Sequence, residues 1–291
     1  MISIEYYKAF YYAAITGSIS KAAEKLYITQ PAASRSIKQL EITMNTPVLF
    51  RTSKGVTLTP EGKILFDYVE KALNFISTAE KRIKDIQNLE TGEIRISISD
   101  TLCKHYLMPY LESFNKQFPD IKISVTNPTS LRTIELLKGG QADFGIVNLP
   151  IEDDELVITP GIKLQDCFVC NDKYKFLTDR PISPDELSHY PILLLERLSN
   201  TRLYLDKYFT DNNCTIEPAL ELGNIDLLVE FARIGMGISC VIKNFIIDEL
   251  ENGTLHEIEI TPPIAPRNAG IVFLKNTPLS IAARTFIKTL K

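Results

Sequence analysis

Apolar residues recur at helical spacing near the start of the chain and predict three short helices. The first covers residues 4–16. Ser18 or Ser20 is expected to cap the second, and Thr29 the third. Pro31 then falls in the first turn of the third helix, where its missing N–H costs nothing. Two short helices joined by a tight link are typical of a helix-turn-helix unit.

The third helix has two unlike faces. Ala33, Ile37 and Leu40 fall within one arc and are expected to face a core. The opposite arc, which carries Arg35 and Lys38, is predicted to enter the major groove, where Arg pairs with guanine and Gln with adenine. A solvated surface helix would show the same spacing, so that alternative stays open. The candidate DNA contacts on and before this helix are Ser20, Thr29, Gln30, Pro31, Ala32, Ser34, Arg35 and Lys38.

The next segment, "PVLFRTSKGVTLTPEG", is predicted to form two short strands around a turn, a wing. Its Arg51, Ser53 and Lys54 would meet the DNA backbone or the minor groove. Thr59 and Pro60 then open a long helix to about Leu89.

That long helix carries apolar residues at alternating steps of four and three, a heptad seam. Strict alternation favours a partner helix and therefore a dimer, whereas packing on its own domain would broaden the stripe. The predicted seam consists of Leu65, Val69, Ala72, Ile76, Ala79, Ile83 and Ile86.

Beyond Gly92, strands and helices alternate, which indicates a mostly parallel α/β structure with helices on both faces of the sheet. Extended segments near residues 157–170 and 268–275 suggest two lobes joined by two crossings, with a cleft between them. The fold class is therefore α/β overall. The expected domains are a winged helix-turn-helix (residues 1–58), a dimerisation helix (59–89) and a two-lobed effector domain (92–291), with lobe I at about 92–162 and 268–291 and lobe II at about 163–267.

Charge supports this division. Residues 1–90 carry 12 Lys+Arg against 9 Asp+Glu, or +3, and the remainder carries 20 against 27, or −7, which sum to the net −4. A basic N-terminal unit on an acidic body is typical of a modular DNA-binding protein. No apolar run approaches the ~20 residues that span a bilayer, and no signal peptide is recognisable, so a cytoplasmic location without membrane contact is expected.

Ligands of open α/β sheets bind beyond the carboxyl ends of the strands, against helix N-termini. Small polar clusters follow the predicted strands here and could hold a small polar or anionic molecule, although each residue could equally cap its own helix. Arg202 could pair with a ligand carboxylate, whereas Asp100 would repel an anion. The candidate effector contacts are Ser99, Asp100, Thr101, Thr129, Ser130, Asn148, Ser199, Asn200, Thr201, Arg202 and Asn224.

Other features carry weaker chemistry. Cys167 and Cys170 have CxxC spacing, but they lie in a predicted strand where residues i and i+3 face opposite ways, and no second pair exists for a zinc site. The Gly-Met-Gly at 235–237 lacks a dinucleotide fingerprint and is expected to allow close backbone packing. Cys103, near a helix N-terminus, could have a lowered thiol pKa and act as a redox sensor. No metal site or cofactor is predicted.

The segment "ISKAAEKLYITQPAASRSIKQLE…LFRTSKGVTLTPEG" resembles the DNA-binding domain of LysR-type transcriptional regulators, and "LLKGGQADFGIV" and "GISCV" are similar to later segments of that family. "MNTPVLFR" departs from the usual family pattern. The resemblance implies a two-lobed effector domain like periplasmic binding proteins, effector contacts in the first and third polar clusters, and homodimers that form homotetramers and bend promoter DNA. RNA polymerase is a further candidate partner.

A cytosolic enzyme or solute-binding protein is the rival interpretation. An enzyme would need a convergent nucleophile, base or metal set, and the sequence displays none. A solute-binding protein would need an export signal and would not need residues 1–89.

Overall fold

The computed structural model describes residues 2–52, 55–87, 92–197 and 199–290, without the side chains of residues 81, 82 and 84–87. Two compact units divide the chain: an N-terminal unit through Lys84 that also takes in residues 138–140, and a C-terminal unit of residues 85–137 and 141–291.

Three helices form the core of the N-terminal unit: α1 (Ile4–Thr16), α2 (Ile19–Lys25) and α3 (Gln30–Met44). Gly17 ends α1 in the left-handed conformation, and the Ser18 Oγ accepts from Lys21 N at 3.4 Å to cap α2. Thr29 is the residue before α3, as predicted, but its side chain makes no capping bond.

A two-stranded wing and a long helix complete this unit: β1 (Leu49–Thr52), β2 (Gly55–Leu58) and α4 (Pro60–Gln87). The strands pair antiparallel. Thr59 Oγ1 accepts from Gly62 N at 2.9 Å, which caps α4. Gly62 is needed because a Cβ there would lie 2.0 Å from the Val48 carbonyl oxygen.

The first sheet of the C-terminal unit has the order β4-β3-β5-β12-β6 and defines lobe I. Its strands are β3 (Gly92–Ile98), β4 (Ile121–Thr126), β5 (Phe144–Asn148), β6 (Leu156–Leu164) and β12 (Arg267–Leu274). Its helices are α5 (Asp100–Leu102), which continues through a π-helical turn at Cys103–Leu107 into α6 (Met108–Gln117), then α7 (Ser130–Lys138) and α12 (Ile281–Thr289).

The second sheet has the order β11-β7-β10-β8-β9 and defines lobe II. Its strands are β7 (Asp166–Cys170), β8 (Ile192–Leu195), β9 (Leu220–Leu222), β10 (Ile238–Ile242) and β11 (His256–Ile258). Its helices are α8 (Pro184–Leu187), α9 (Asn200–Asp211), α10 (Ile225–Arg233) and α11 (Ile247–Glu251), with 3-10 turns at Asp172–Thr178 and Lys243–Phe245.

The prediction of a mostly parallel structure is wrong in one respect, because each sheet has two parallel and two antiparallel pairings. The antiparallel pairs all involve β12 or β7. These two strands enter their sheets directly from a crossing between the lobes rather than after a helix, so they run against their neighbours.

Buried residues explain two of the weaker sequence features. Cys167 packs in the core cluster shared by both lobes, whereas Cys170 packs in the separate core of lobe II, so the two thiols face opposite sides of β7 as predicted. Gly237 allows close backbone packing, because a Cβ there would lie 2.5 Å from the Pro191 carbonyl oxygen.

Candidate functional site

The exposed face of α3 is anchored by a fully buried opposite face. Ala33, Ile37 and Leu40 are each 0% exposed, which confirms their predicted inward orientation. Arg35 and Lys38 are exposed and form no ion pair with any residue that the structure describes. Of the other candidate DNA contacts on and before α3, Ser34 is half-buried and the rest are exposed: Ser20, Thr29, Gln30, Pro31 and Ala32. The helix therefore presents free cations and polar groups on a rigid support.

The wing arginine is held against α3. Arg51 Nη1 donates to Ser34 Oγ at 3.4 Å, and its Nη2 lies 3.5 Å from Glu41 Oε2. Glu41 Oε1 also accepts from the backbone N–H of Val48 at 3.0 Å, so one carboxylate connects α3 to the start of the wing. Arg51 is on the surface and close to α3, while Ser53 and Lys54 lie outside the described residues.

The apolar seam of α4 divides into two parts. Leu65 packs on the core of the N-terminal unit and Val69 is 6% exposed, so for these two residues packing on their own domain accounts for the apolar side chain. Further along, Ile76 is 40% exposed and Ile83 is 59% exposed. Ala72 and Ala79 are exposed as well, and the Ile86 side chain lies outside the description.

In the C-terminal unit, a cleft of about 250 Å³ lies between the two lobes at the carboxyl ends of the strands. Strands β3, β4 and β5 of lobe I and β8, β9 and β10 of lobe II all end at it. That is the position at which open α/β sheets bind their ligands. The cleft is lined by Ser99, Asp100, Thr101, Leu102, Asn127, Pro128, Thr129, Ser130, Asn148, Leu195, Ser199, Asn200, Thr201, Gly223, Ile225 and Ile242.

Nine of the eleven candidate effector contacts are in that lining, and two are not. Arg202 is the first exception: its side chain is 4% exposed and donates to Asp206 Oδ1 at 2.7 Å and Glu221 Oε1 at 2.8 Å. Burial lowers and these two carboxylates raise the pKa of Arg202, with a net increase. The expectation that Arg202 pairs with a ligand carboxylate is therefore wrong, because its charge is already neutralised within lobe II.

Asn224 is the second exception. Its Oδ1 accepts from Asp226 N at 2.7 Å and caps α10, so the capping alternative accounts for this residue. Its Nδ2 donates across the rim of the cleft to Asp100 Oδ2 at 2.8 Å. Asp100 therefore has a partner from the opposite lobe.

A second set of contacts closes the same rim. Asp226 Oδ1 of lobe II lies 3.0 Å from Lys104 Nζ and 3.1 Å from His105 Nε2, and both of these residues belong to lobe I. Burial raises the pKa of Asp226, but hydrogen bonds and charge from Lys104 and His105 outweigh that effect and hold it below its usual range. The His105 ring also stacks on Phe245, with centroids 4.6 Å apart.

Several hydroxyls in the lining also cap helices. Ser199 Oγ accepts from Arg202 N at 3.1 Å and Thr129 Oγ1 from Arg132 N at 3.4 Å. Each such hydroxyl keeps its hydrogen after accepting. Capping and ligand binding are therefore compatible at these positions.

A buried arginine underlies the cleft and was missed in the sequence. Arg267, at the start of β12, bonds Asp166 at the start of β7 and also reaches Asn148 and Thr201 in the lining. The other lining residues that were missed, such as Asn127 and Ile242, lie at or next to strand ends, so the strand-end rule could have found them. Arg267 gave no such signal because it begins a strand.

The lowered thiol pKa considered for Cys103 is contradicted by its surroundings. Burial raises the pKa of Cys103, a hydrogen bond with Asn127 lowers it, and the Asp100 charge raises it again, with a net increase. Burial likewise raises the pKa of Cys170 to about 11. A higher thiol pKa reduces the thiolate available for oxidation.

No group of three or more His, Cys, Asp or Glu side chains is placed to hold a metal ion within the described ranges. Among the helices described, none is both long and apolar enough to cross a membrane.

The N-terminal and C-terminal units together define a class: a winged helix-turn-helix protein with a ligand-binding cleft between two α/β lobes. Residues 4–63 match the family model described as "Bacterial regulatory helix-turn-helix protein, lysR family", and residues 87–291 match "LysR substrate binding domain". The chain belongs to the LysR family of transcriptional regulators. It is therefore a DNA-binding regulator with an effector domain and not an enzyme.

Individual relatives agree with that assignment. The transcriptional activator CmpR of Synechocystis sp. is 24% identical over 288 residues, which cover 99% of this chain and 94% of CmpR. The fold is similar to CbnR in complex with its target DNA, with a TM-score of 0.69 at 16% identity over 99% of this chain and 98% of CbnR. It is also similar to the CcmR regulatory domain of Synechocystis PCC6803 in complex with 2-PG, with a TM-score of 0.62 at 22% identity over 69% of this chain and 96% of that one.

Proposed function

We propose that α3 reads operator DNA through Gln30, Ser34, Arg35 and Lys38, and that a small polar effector in the cleft of lining residues controls this binding. The observation that carries the proposal is the exposure of Arg35 and Lys38 on the face of α3 opposite Ala33, Ile37 and Leu40, which are each 0% exposed. Core packing would not require that surface. In the domains proposed here, residues 1–58 read DNA, 59–89 dimerise and 92–291 bind the effector.

Base contacts and backbone contacts have different roles in this proposal. Arg35, which is exposed on α3, would form a bidentate pair with a guanine, a contact that discriminates between bases. Arg51 and Lys54 would neutralise phosphates and Ser53 would donate a hydrogen bond to one, contacts that position the protein without reading sequence. Arg51 already contacts Ser34 at 3.4 Å, which supports a shared surface for wing and helix.

A dimer presents two reading helices to two half-sites. The exposed part of the α4 seam supports dimerisation, because Ile76 and Ile83 remain solvent-accessible in the single chain. Half-sites about one DNA turn, or a multiple of it, apart follow from a symmetric dimer. Assembly into tetramers and contact with RNA polymerase are further parts of this proposal. We place this activity in the cytoplasm, because its ligand is promoter DNA.

Effector binding would act on the equilibrium between arrangements of the two lobes. The cleft takes side chains from both lobes, so a ligand that contacts both favours the arrangement in which both reach it. Its volume of about 250 Å³ is below the roughly 300–1,000 Å³ of drug-sized sites, which supports a small metabolite.

A gel shift with DNA from upstream of this protein's own gene tests the proposal, with shuffled DNA of the same composition as the control. We expect upstream DNA to bind at least tenfold more tightly than shuffled DNA, and both affinities to fall with salt because phosphate contacts release counterions. Equal binding of both duplexes at every salt concentration would contradict the proposed reading surface.

A further inference from the structure

The crossing between the lobes contains a buried ion pair. The side chains of Arg267 and Asp166 are each 2% exposed. Arg267 Nε donates to Asp166 Oδ2 at 2.5 Å and its Nη2 donates to Asp166 Oδ1 at 2.9 Å. This two-bond fork satisfies both charges, which is the condition for a stable buried ion pair.

The guanidinium of Arg267 also hydrogen-bonds two residues that line the cleft. Its Nη2 also donates to Thr201 Oγ1 at 3.0 Å, and its Nη1 donates to Asn148 Oδ1. Asn148 ends β5 in lobe I, and Thr201 lies in the first turn of α9 in lobe II. Both side chains line the cleft, so Arg267 bonds one lining residue from each lobe.

These bonds determine which polar groups remain for a ligand. A guanidinium donates only, so Asn148 must present its oxygen to Arg267, and its amide nitrogen is left with two donor hydrogens. Thr201 likewise accepts from Arg267 and keeps its hydroxyl hydrogen. Across the described ranges, neither the Asn148 amide nitrogen nor the Thr201 hydroxyl hydrogen has an acceptor.

A third donor lies beside them. Ser130 is 6% exposed, and its Oγ accepts from the Asn148 backbone N–H at 3.2 Å, which leaves its own hydrogen available. The carboxylate in the lining, Asp100, is already engaged by Asn224 at 2.8 Å and lies at the rim. The part of the cleft over Arg267 is therefore rich in donors.

We propose that Arg267 sets the ligand class of the cleft. By holding the acceptor atoms of Asn148 and Thr201, it turns both side chains into donors and selects an effector that brings a carboxylate or phosphate group to them. Arg267 is a positioning residue in this account and does not itself contact the effector. The inference rests on the proposed function, which places the effector in this cleft.

Three probes of equal length and different charge test the selection: malonate, malonamide and 1,3-diaminopropane, with inorganic phosphate as the second anion. Calorimetry on the full chain at constant ionic strength measures each Kd. We expect malonate or phosphate to bind at least tenfold more tightly than malonamide or the diamine, and the better of the two identifies the anionic group. If neither anion binds more tightly than malonamide and the diamine, the inference is overturned.

Two variants test the role of Arg267. The double variant Arg267→Met with Asp166→Leu removes both buried charges and leaves the net charge unchanged. We expect its ratio of malonate to malonamide affinity to fall at least tenfold. In Asn148→Asp, the carboxylate still accepts from Arg267 but has no donor for a ligand, so anion binding should fall at least tenfold without a lower melting temperature. A merely structural role for Asn148 would instead lower the melting temperature and leave the ratio of malonate to malonamide affinity unchanged.

DNA binding separates this inference from the proposed function. A wild-type chain that binds operator DNA and prefers malonamide or the diamine contradicts only the role of Arg267. A chain that discriminates among the probes but binds all DNA sequences equally contradicts the reading surface and leaves the donor-rich cleft in place.

Discussion

Replacing the two exposed isoleucines of the α4 seam together, Ile76→Ala with Ile83→Ala, should weaken the dimer strongly. Full burial of an isoleucine side chain contributes about 1.5–3 kcal/mol. Scaled by the exposures of Ile76 (40%) and Ile83 (59%), burial of the two side chains by a partner helix contributes roughly 1.5–3 kcal/mol per chain, which the alanine variant loses. A symmetric dimer counts this twice, or about 3–6 kcal/mol, which corresponds to roughly 10²- to 10⁴-fold in Kd.

Sedimentation equilibrium across a concentration series measures this change, with circular dichroism to show that the helices persist. Ile64→Ala is the matched control, since Ile64 is 64% exposed on the same helix but does not belong to the seam. Its dimer constant should stay within a few-fold of wild type. An unchanged dimer constant in the double variant, or an equal loss in Ile64→Ala, would refute the assignment of the seam.

Two further predictions concern DNA and pH. Arg35→Ala should reduce the preference for operator over shuffled DNA by about 5- to 150-fold per half-site, the value of one bidentate Arg–guanine pair, whereas Lys54→Ala should weaken binding to both duplexes alike and lower the salt slope by about 0.9 per protomer. Fluorescence anisotropy separates these effects, and an unchanged ratio in Arg35→Ala would remove that residue from the reading set. The lowered pKa of Asp226 means that its stabilisation is present above the ordinary carboxyl pKa and is lost as pH falls through the lower folded value. Melting temperatures between pH 6 and pH 3 should therefore fall more steeply for wild type than for Asp226→Asn, and parallel curves would contradict the rim contacts.

The spacing of apolar residues and the order of strands and helices were enough to predict the faces of α3 and part of the cleft lining. The spacing of Ala33, Ile37 and Leu40 was enough to orient α3, because a helical period assigns its faces without reference to distant residues. The strand-end rule placed Thr101, Ser130 and Thr201 in the cleft for a similar reason, since consecutive βα units bring strand ends to one edge of a sheet.

Contacts between residues that lie far apart in the sequence could not be predicted from local patterns. Arg267 bonds residues that are 66, 101 and 119 positions away in the chain, so neither its burial nor its partners appear in any local window. Arg267 was missed for this reason, whereas Arg202 was included among the candidate effector contacts although its charge is satisfied elsewhere. It stands beside a polar cluster in the sequence, yet Glu221, 19 positions on, neutralises it inside lobe II.

Selection of binding sites from a random pool of duplex DNA, with the full-length protein, tests the central claim most directly. The account predicts enrichment of a motif with two related half-sites about one helical turn or a multiple of it apart, bound about 10³-fold or more tightly than random duplexes. A pool that shows no enriched motif after repeated rounds, although the protein still binds DNA, would contradict the proposal that α3 reads sequence.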